Sequence, residues 1–242
     1  MSATILEPGG KVWSEGDPAL PAELKELLIR MLSYHIENST NPHFTELMDM
    51  LWDRCRTLPT DDGTRAALVK LMNQEVEHGQ ITARLLKGLG IDKVERPIEQ
   101  YAFRLPIDTS CDLAYFHGLI DRVGCYIGET WEGVPYEPLM AVAPQLHRDE
   151  VFHATLGLRN LRICCSTPEG LDEANALIEK WWPAALDMFG RSDSAFSDAY
   201  VRWGLRQLSN ADLRRQYIDD TRPLLDELGI TVPSNRLNRR FL

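Results

Sequence analysis

Two Glu-x-x-His segments, Glu75–His78 and Glu150–His153, carry residue types at a spacing that can do chemistry. On a helix, residues three apart lie on one face about a turn from each other. A carboxylate and an imidazole so placed can reach one metal ion. With 6 histidines among 242 residues, chance placement yields fewer than one such pair, so two are informative. Glu75 and Glu150 are 75 residues apart, as are His78 and His153. Helical bundles that hold two metals in a carboxylate cage take one Glu-x-x-His from each of two helices and one further acid from each of the other two. Glu46 lies 29 residues before Glu75, and Asp121 lies 29 before Glu150, so these acids repeat the 75-residue interval. The expected metal ligands are therefore Glu46, Glu75, His78, Asp121, Glu150 and His153. Glu37, 38 residues before Glu75, is the alternative to Glu46 and requires a longer first hairpin. Glu129 reads as an acid near a helix end.

The remaining histidines, His35, His43, His117 and His147, read as surface or satisfied core residues. Gln74 and Asp149 each precede a ligand glutamate and can hydrogen-bond a ligand from outside. Four carboxylates and two imidazoles are a hard oxygen/nitrogen donor set that suits two iron ions, with manganese the alternative. No Gly-rich phosphate loop and no Ser-His-Asp order is present, so no catalytic residue is expected beyond the metal ligands.

Helices must position these groups. From Pro21, Leu24, Leu27, Leu28, Met31 and Leu32 recur at helix spacing, and the pattern is lost at Asn38–Pro42. Phe44, Leu47, Leu51 and Trp52 begin a second series, which the Asp61–Gly63 break separates from a third over 64–89. Residues 91–111 connect to a helix near 112–130, which resumes over 139–164 after Gly133, Pro135 and Pro138. C-terminal helices are expected near 171–189, 195–208 and 210–228. Period-two alternation is scarce. The sequence reads as all-α: an irregular arm over 1–20, then one helical domain over 21–242. Ligand hairpins at 43–89 and 112–164 form its core, with further helices at each end.

A net charge of −10 disfavours nucleic acid and anionic membranes as partners, though a local basic patch can still receive a small anion. No run approaches the roughly 20 apolar residues of a membrane span, and residues 1–10 lack a signal-peptide pattern. Five cysteines without a C-x-x-C pair read as thiols in a reducing cytoplasm.

The sequence resembles the catalytic-subunit family of phenylacetyl-CoA epoxidase, within the ferritin-like di-iron monooxygenases. The likeness runs over roughly 21–233. It shows in Leu28-Ile-Arg30, Gln74-Glu75-Val-Glu-His78-Gly79, Leu119-Ile-Asp121 and Asp149-Glu150-Val-Phe-His153. Away from the ligands it shows in Trp181-Trp182-Pro183, Phe189-Gly190, Trp203-Gly204, Leu208–Arg214 and Leu228–Pro233. The chain reads as a divergent and shorter member. Counted from Arg30 and His35, the family's first ligand falls at Ser39, seven residues short of Glu46, so an insertion sits there. The resemblance implies a ferritin-like four-helix bundle with added terminal helices, the same six ligands, and O2 as co-substrate. It implies hydroxylation or epoxidation of a small organic substrate, aromatic or held as an acyl-CoA thioester. Electrons would come from an external reductase, and the chain would form a homo-oligomer or pair with a related helical subunit. The competing readings are a di-iron N-oxygenase or desaturase and a non-catalytic or metal-storage subunit.

Overall fold

In the computed structural model, which describes residues 10–35 and 37–241, helices form wherever apolar residues recur at three and four. α1 (Ala22–Tyr34) buries Leu24, Leu27, Leu28, Met31 and Leu32, and α2 (Pro42–Thr57) buries Phe44, Leu47, Met48, Leu51 and Cys55. α3 (Asp62–Gly88) follows. Side-chain caps fix these starts: Asn41 accepts from His43 N ahead of Pro42, and Asp61 accepts from Thr64 N. The second hairpin opens with α4 (Ser110–Tyr115), capped by Thr109. It passes through a π-helical turn (Phe116–Asp121) into α5 (Arg122–Glu129) and returns along α6 (Glu137–Cys164). α7 (Pro168–Asp187), α8 (Ala195–Arg202) and α9 (Asn210–Asp226) complete the order.

The result is the expected all-α, ferritin-like bundle. α3 packs on α6; α4, the π turn and α5 also pack on α6, while α1 and α2 both pack on α3. The position of a fourth bundle helix is thus shared by α1 and α2, which are interrupted over 35–41. Of the irregular arm expected over 1–20, residues 1–9 lie outside the described residues. The rest is tied down by Trp13, whose N–H donates to Pro135 O and whose carbonyl accepts from Glu137 N. α8 stops at Arg202, short of the expected 208. Gly204 adopts φ +69° there, Gly204 N donates to Val201 O and Leu205 N to Tyr200 O, a glycine-terminated helix end.

The core has two apolar clusters. One joins Leu68, Leu71 and Met72 of α3 to Leu156 and Leu161 of α6, the π turn, α7 and α9. The other joins Ile81, Leu85 and Leu86 of α3 to Leu139, Ala143 and Leu146 of α6, α1 and α8. Between them, at mid-height of α3 and α6, sit the buried polar side chains Glu75, His78, Glu150 and His153. α6 and the π turn touch backbone to backbone at Gly157 and Gly118: a Cβ on Gly157 would overlap Gly118 N and the His117 carbonyl carbon. Only glycine permits that approach, which brings Asp121 up to the residues of α6.

Candidate metal centre

Two overlapping groups of side chains meet at mid-bundle. One ligand atom from each of Glu37, Glu75, His78 and Glu150 lies within 4.8 Å of the others, and the same holds for Glu75, Asp121 and His153. Glu75 belongs to both groups. His78 Nδ1 is 3.1 Å from Glu37 Oε2 and 3.5 Å from Glu150 Oε1, while His153 Nδ1 is 3.0 Å from Glu75 Oε1. The two imidazole rings lie 5.7 Å apart. Both Nδ1 atoms therefore face one carboxylate cluster. His153 Nδ1 makes no hydrogen bond despite its close carboxylate. An unpartnered buried nitrogen beside carboxylate oxygens is where a cation, a metal ion among them, would find its donors.

Five of the six expected ligands come together here, and Glu46 does not. Its side chain is 73% exposed and pairs only with His43, 3.1 Å away. The buried face of α2 carries Phe44, Leu47, Met48 and Leu51, which turns Glu46 outward. The residue in its place is the alternative, Glu37. It lies outside any helix, in the stretch that interrupts α1 and α2, so counting back from the hairpin turn cannot find it. The stretch is held against α3 by Ser39 N, which donates to Gly79 O at 3.0 Å. A Cβ on Gly79 would lie 3.2 Å from Ser39 N and 2.6 Å from Phe44 Cε1. That glycine, next to His78, lets the non-helical chain at 37–41 lay Glu37 on the cluster. Glu129 is exposed at the end of α5.

The half of this cluster that carries Asp121, Glu150 and His153 lies within the stretch that shows the chain's kinship. The family model described as phenylacetic acid catabolic protein matches residues 99–240, more than half of the chain and inclusive of the helices that carry Asp121, Glu150 and His153. This chain belongs to that family. Over 239 residues it is also 24% identical to one subunit of the 1,2-phenylacetyl-CoA epoxidase of Escherichia coli (strain K12), a match covering 90% of this chain and 72% of that relative.

In this family member the 75-residue interval extends outward to Gln74 and Asp149. His78 Nε2 donates to Asp149 Oδ2 at 3.2 Å, and His153 Nε2 donates to Gln74 Oε1 at 3.2 Å. Gln74 Nε2 closes the circuit by donating to Asp149 Oδ1. Each ring is thus held by a residue of the opposite helix, which aims Nδ1 at the carboxylates. His117, expected to be an ordinary core histidine, is instead part of the cluster's wall: its Nδ1 is 2.6 Å from Asp121 Oδ2. The signal available for it was the i,i+4 spacing of His117 and Asp121. His35 Nδ1 lies 4.0 Å from Glu37 Oε2, with its ring against Trp131.

Burial and mutual charge set the ionisation of the metal-free cluster. Burial opposes the charged form of His78, but hydrogen bonds to Glu150 and Glu37 push it up to about 12. Burial likewise opposes charge on His153, and Glu75 pushes it up to about 9. Burial, then the charge of Glu37, raises Glu75 and takes Glu150 up to about 8. Burial would raise Glu37 as well, but His35, His78 and His153 outweigh it and hold the carboxyl at about 2. Burial opposes charge on His117, and Asp121 pushes it up to about 10. Protons on buried imidazoles and acids do here what metal charge would do, namely offset carboxylates gathered out of water.

A cavity of about 420 Å³ opens onto this cluster. Glu37, Glu75, Asp121 and Glu150 line it together with the apolar Phe44, Met48, Phe116, Ile120, Val123 and Ile127. Arg30, Arg191 and Arg206 stand on its wall. Arg206 Nη1 donates to Asn210 Oδ1 at 2.8 Å, its Nε has no hydrogen-bond partner, and no acid among the described residues acts on its charge. No helix among the described residues is long and apolar enough to cross a membrane.

Proposed function

We propose that this chain is the catalytic subunit of a di-iron, O2-dependent monooxygenase that hydroxylates or epoxidises a small organic substrate. The observation that carries the reading is the junction of a buried two-group carboxylate/imidazole cluster with an apolar cavity of ligand size. Glu37, Glu75, His78, Asp121, Glu150 and His153 hold the metals, with Glu75 common to both groups. Mixed oxygen and nitrogen donors suit iron, and manganese is the alternative. Once bound, ferrous ions supply the reduction of O2 from which one oxygen atom enters the substrate.

The protein's own part is placement and exclusion. Asp149 and Gln74 fix the imidazoles through Nε2, so Nδ1 is the atom each offers. Phe44, Phe116 and Ile120 keep water from the substrate's reacting end. Arg206, half-buried on the cavity wall without an acid partner, favours a substrate with an anionic portion, whether an acyl-CoA thioester or a free aromatic acid. The name of the relative, which belongs to a phenylacetyl-CoA epoxidase, supports the thioester. The word subunit in that name supports partner subunits; in our reading one is a related helical subunit, an external reductase supplies the electrons, and the protein works in the cytoplasm.

Purified protein loaded anaerobically with ferrous ion should hold close to two irons per chain, and Glu75→Ala or His153→Ala should abolish that content. Wild-type protein that binds none sinks the reading. An O2-consumption assay over a panel of acyl-CoA thioesters and free aromatic acids then names the substrate class. Uptake without any substrate dependence would leave a storage role instead.

A further inference from the structure

We infer that His117 is a positioning residue that locks the Asp121 carboxylate and decides which of its oxygens faces a metal, an inference that rests on the metal-site reading above. The two residues sit four apart on the π-helical turn Phe116–Asp121, a rare helical form that concentrates at functional sites. His117 Nδ1 and Asp121 Oδ2 are 2.6 Å apart, with side chains 1% and 9% exposed. Water is therefore a poor competitor for that hydrogen bond. With Oδ2 engaged, Oδ1 is the atom left for the group that Asp121 forms with Glu75 and His153.

The imidazole has little room to do anything else. Phe116 stands edge-on to it, with centroids 5.4 Å apart at 87°. Its backbone is pinned where α6 crosses the π turn, because the His117 carbonyl carbon is one of the atoms that a Cβ on Gly157 would overlap. Its Nε2 is buried without a hydrogen bond; the Cys55 thiol is the other polar group beside the ring, and Asp121 is the acid it pairs with.

Glu37 is held in a different way. His35 stands toward Glu37 as His117 does toward Asp121, but at 4.0 Å against 2.6 Å. Glu37 is instead held by His78 at 3.1 Å, a member of its own group. Asp121 is the shortest carboxylate of the set and depends for its orientation on a residue outside the set. The two metal positions should therefore respond differently to the loss of His117.

Cobalt(II) is the probe, added anaerobically to metal-free protein at fixed pH and followed by its visible absorption and by calorimetry. Wild type should take up two ions. His117→Phe, which keeps a planar ring and removes the donor, should weaken one of the two by about 10–100-fold and alter its absorption, leaving the other within about threefold. His117→Asn, whose side-chain amide can place a donor near the lost Nδ1, should recover most of that affinity. Asp121→Asn combined with His117→Phe should be no worse than Asp121→Asn alone, since the two act as a unit. If His117→Phe binds both ions as wild type does, or if Asn and Phe variants are equally impaired, the assignment is overturned while the metal site stands. If wild type takes up no cobalt and no ferrous ion, both fall together. Should His117→Phe fail to fold, His117→Asn against His117→Gln decides. Asn must keep both ions and Gln, with its donor one bond farther out, must lose one; equal affinities overturn the inference.

Discussion

A carboxylate contributes to a buried cluster only where its backbone lets it arrive, and Glu37 and Glu46 separate that condition from composition. Both are acids just ahead of the first Glu-x-x-His, yet one lies 3.1 Å from His78 Nδ1 and the other points to solvent beside His43. Glu37→Ala should therefore lower bound metal from two toward one per chain, measured by elemental analysis after anaerobic loading. Glu46→Ala should leave metal content and melting temperature unchanged. The reverse pattern would return the first ligand to Glu46. The Glu-x-x-His pairs and Asp121 were legible in the sequence because helical spacing alone places them. Glu37 was legible only as a candidate, because an irregular stretch outside any helix has no period from which a facing direction can be read. His117 escaped for another reason: its partner is an acid of the buried cluster rather than an apolar face, and a lone histidine among Phe116 and Leu119 looks like core.

At the scale of elements, the site depends on how closely α6 approaches the π turn. Gly157 and Gly118 face each other there, with a Cβ on Gly118 reaching only 3.2 Å from the Gly157 carbonyl carbon. A methyl group at 157 has no flexible side chain to displace, since the atoms it meets are backbone. Gly157→Ala should destabilise the protein by about 1–3 kcal/mol or more, as overpacking of a tight contact does. It should also widen the distance between Asp121 and His153, so metal affinity falls together with the melting temperature. A variant that loads metal normally with an unshifted melting curve would show that the helices can slide apart freely. The hairpins themselves follow from apolar periodicity and caps such as Asp61 and Thr109. The π turn does not, because Phe116, Leu119, Ile120 and Val123 recur at three and four as they would along an ordinary α-helix. The sequence therefore yields a single helix over 112–130 where the structure has three segments.

On the scale of the whole molecule, the metal-free fold must keep four acids and two imidazoles buried between its apolar clusters, and it does so by retaining protons. His78 and His153, raised to about 12 and about 9, contribute stability that is full below their ordinary 6.5 and is lost as pH rises through those values. Glu75 is raised above 4.5 and Glu150 to about 8, so folding retains protons on them that the unfolded chain releases. Between about pH 5 and 9 all four groups thus bind more protons folded than unfolded, and stability must fall as pH rises. Glu37, held at about 2, has the opposite sign, but its contribution is lost only as pH falls below 4.5, outside that window. Metal competes for the same atoms, so its affinity should rise over the interval in which the metal-free protein weakens. Ferrous or cobalt(II) ion at about 100 times its dissociation constant stabilises the native state by about 2.7 kcal/mol. At a fixed metal concentration, that gain should be larger at pH 8.5 than at pH 6. Melting curves with and without metal across that range should diverge, the metal-free midpoint dropping while the loaded one holds. Parallel curves would mean that the protons on His78, His153 and Glu150 are not the ones metal replaces, and that the ions bind elsewhere.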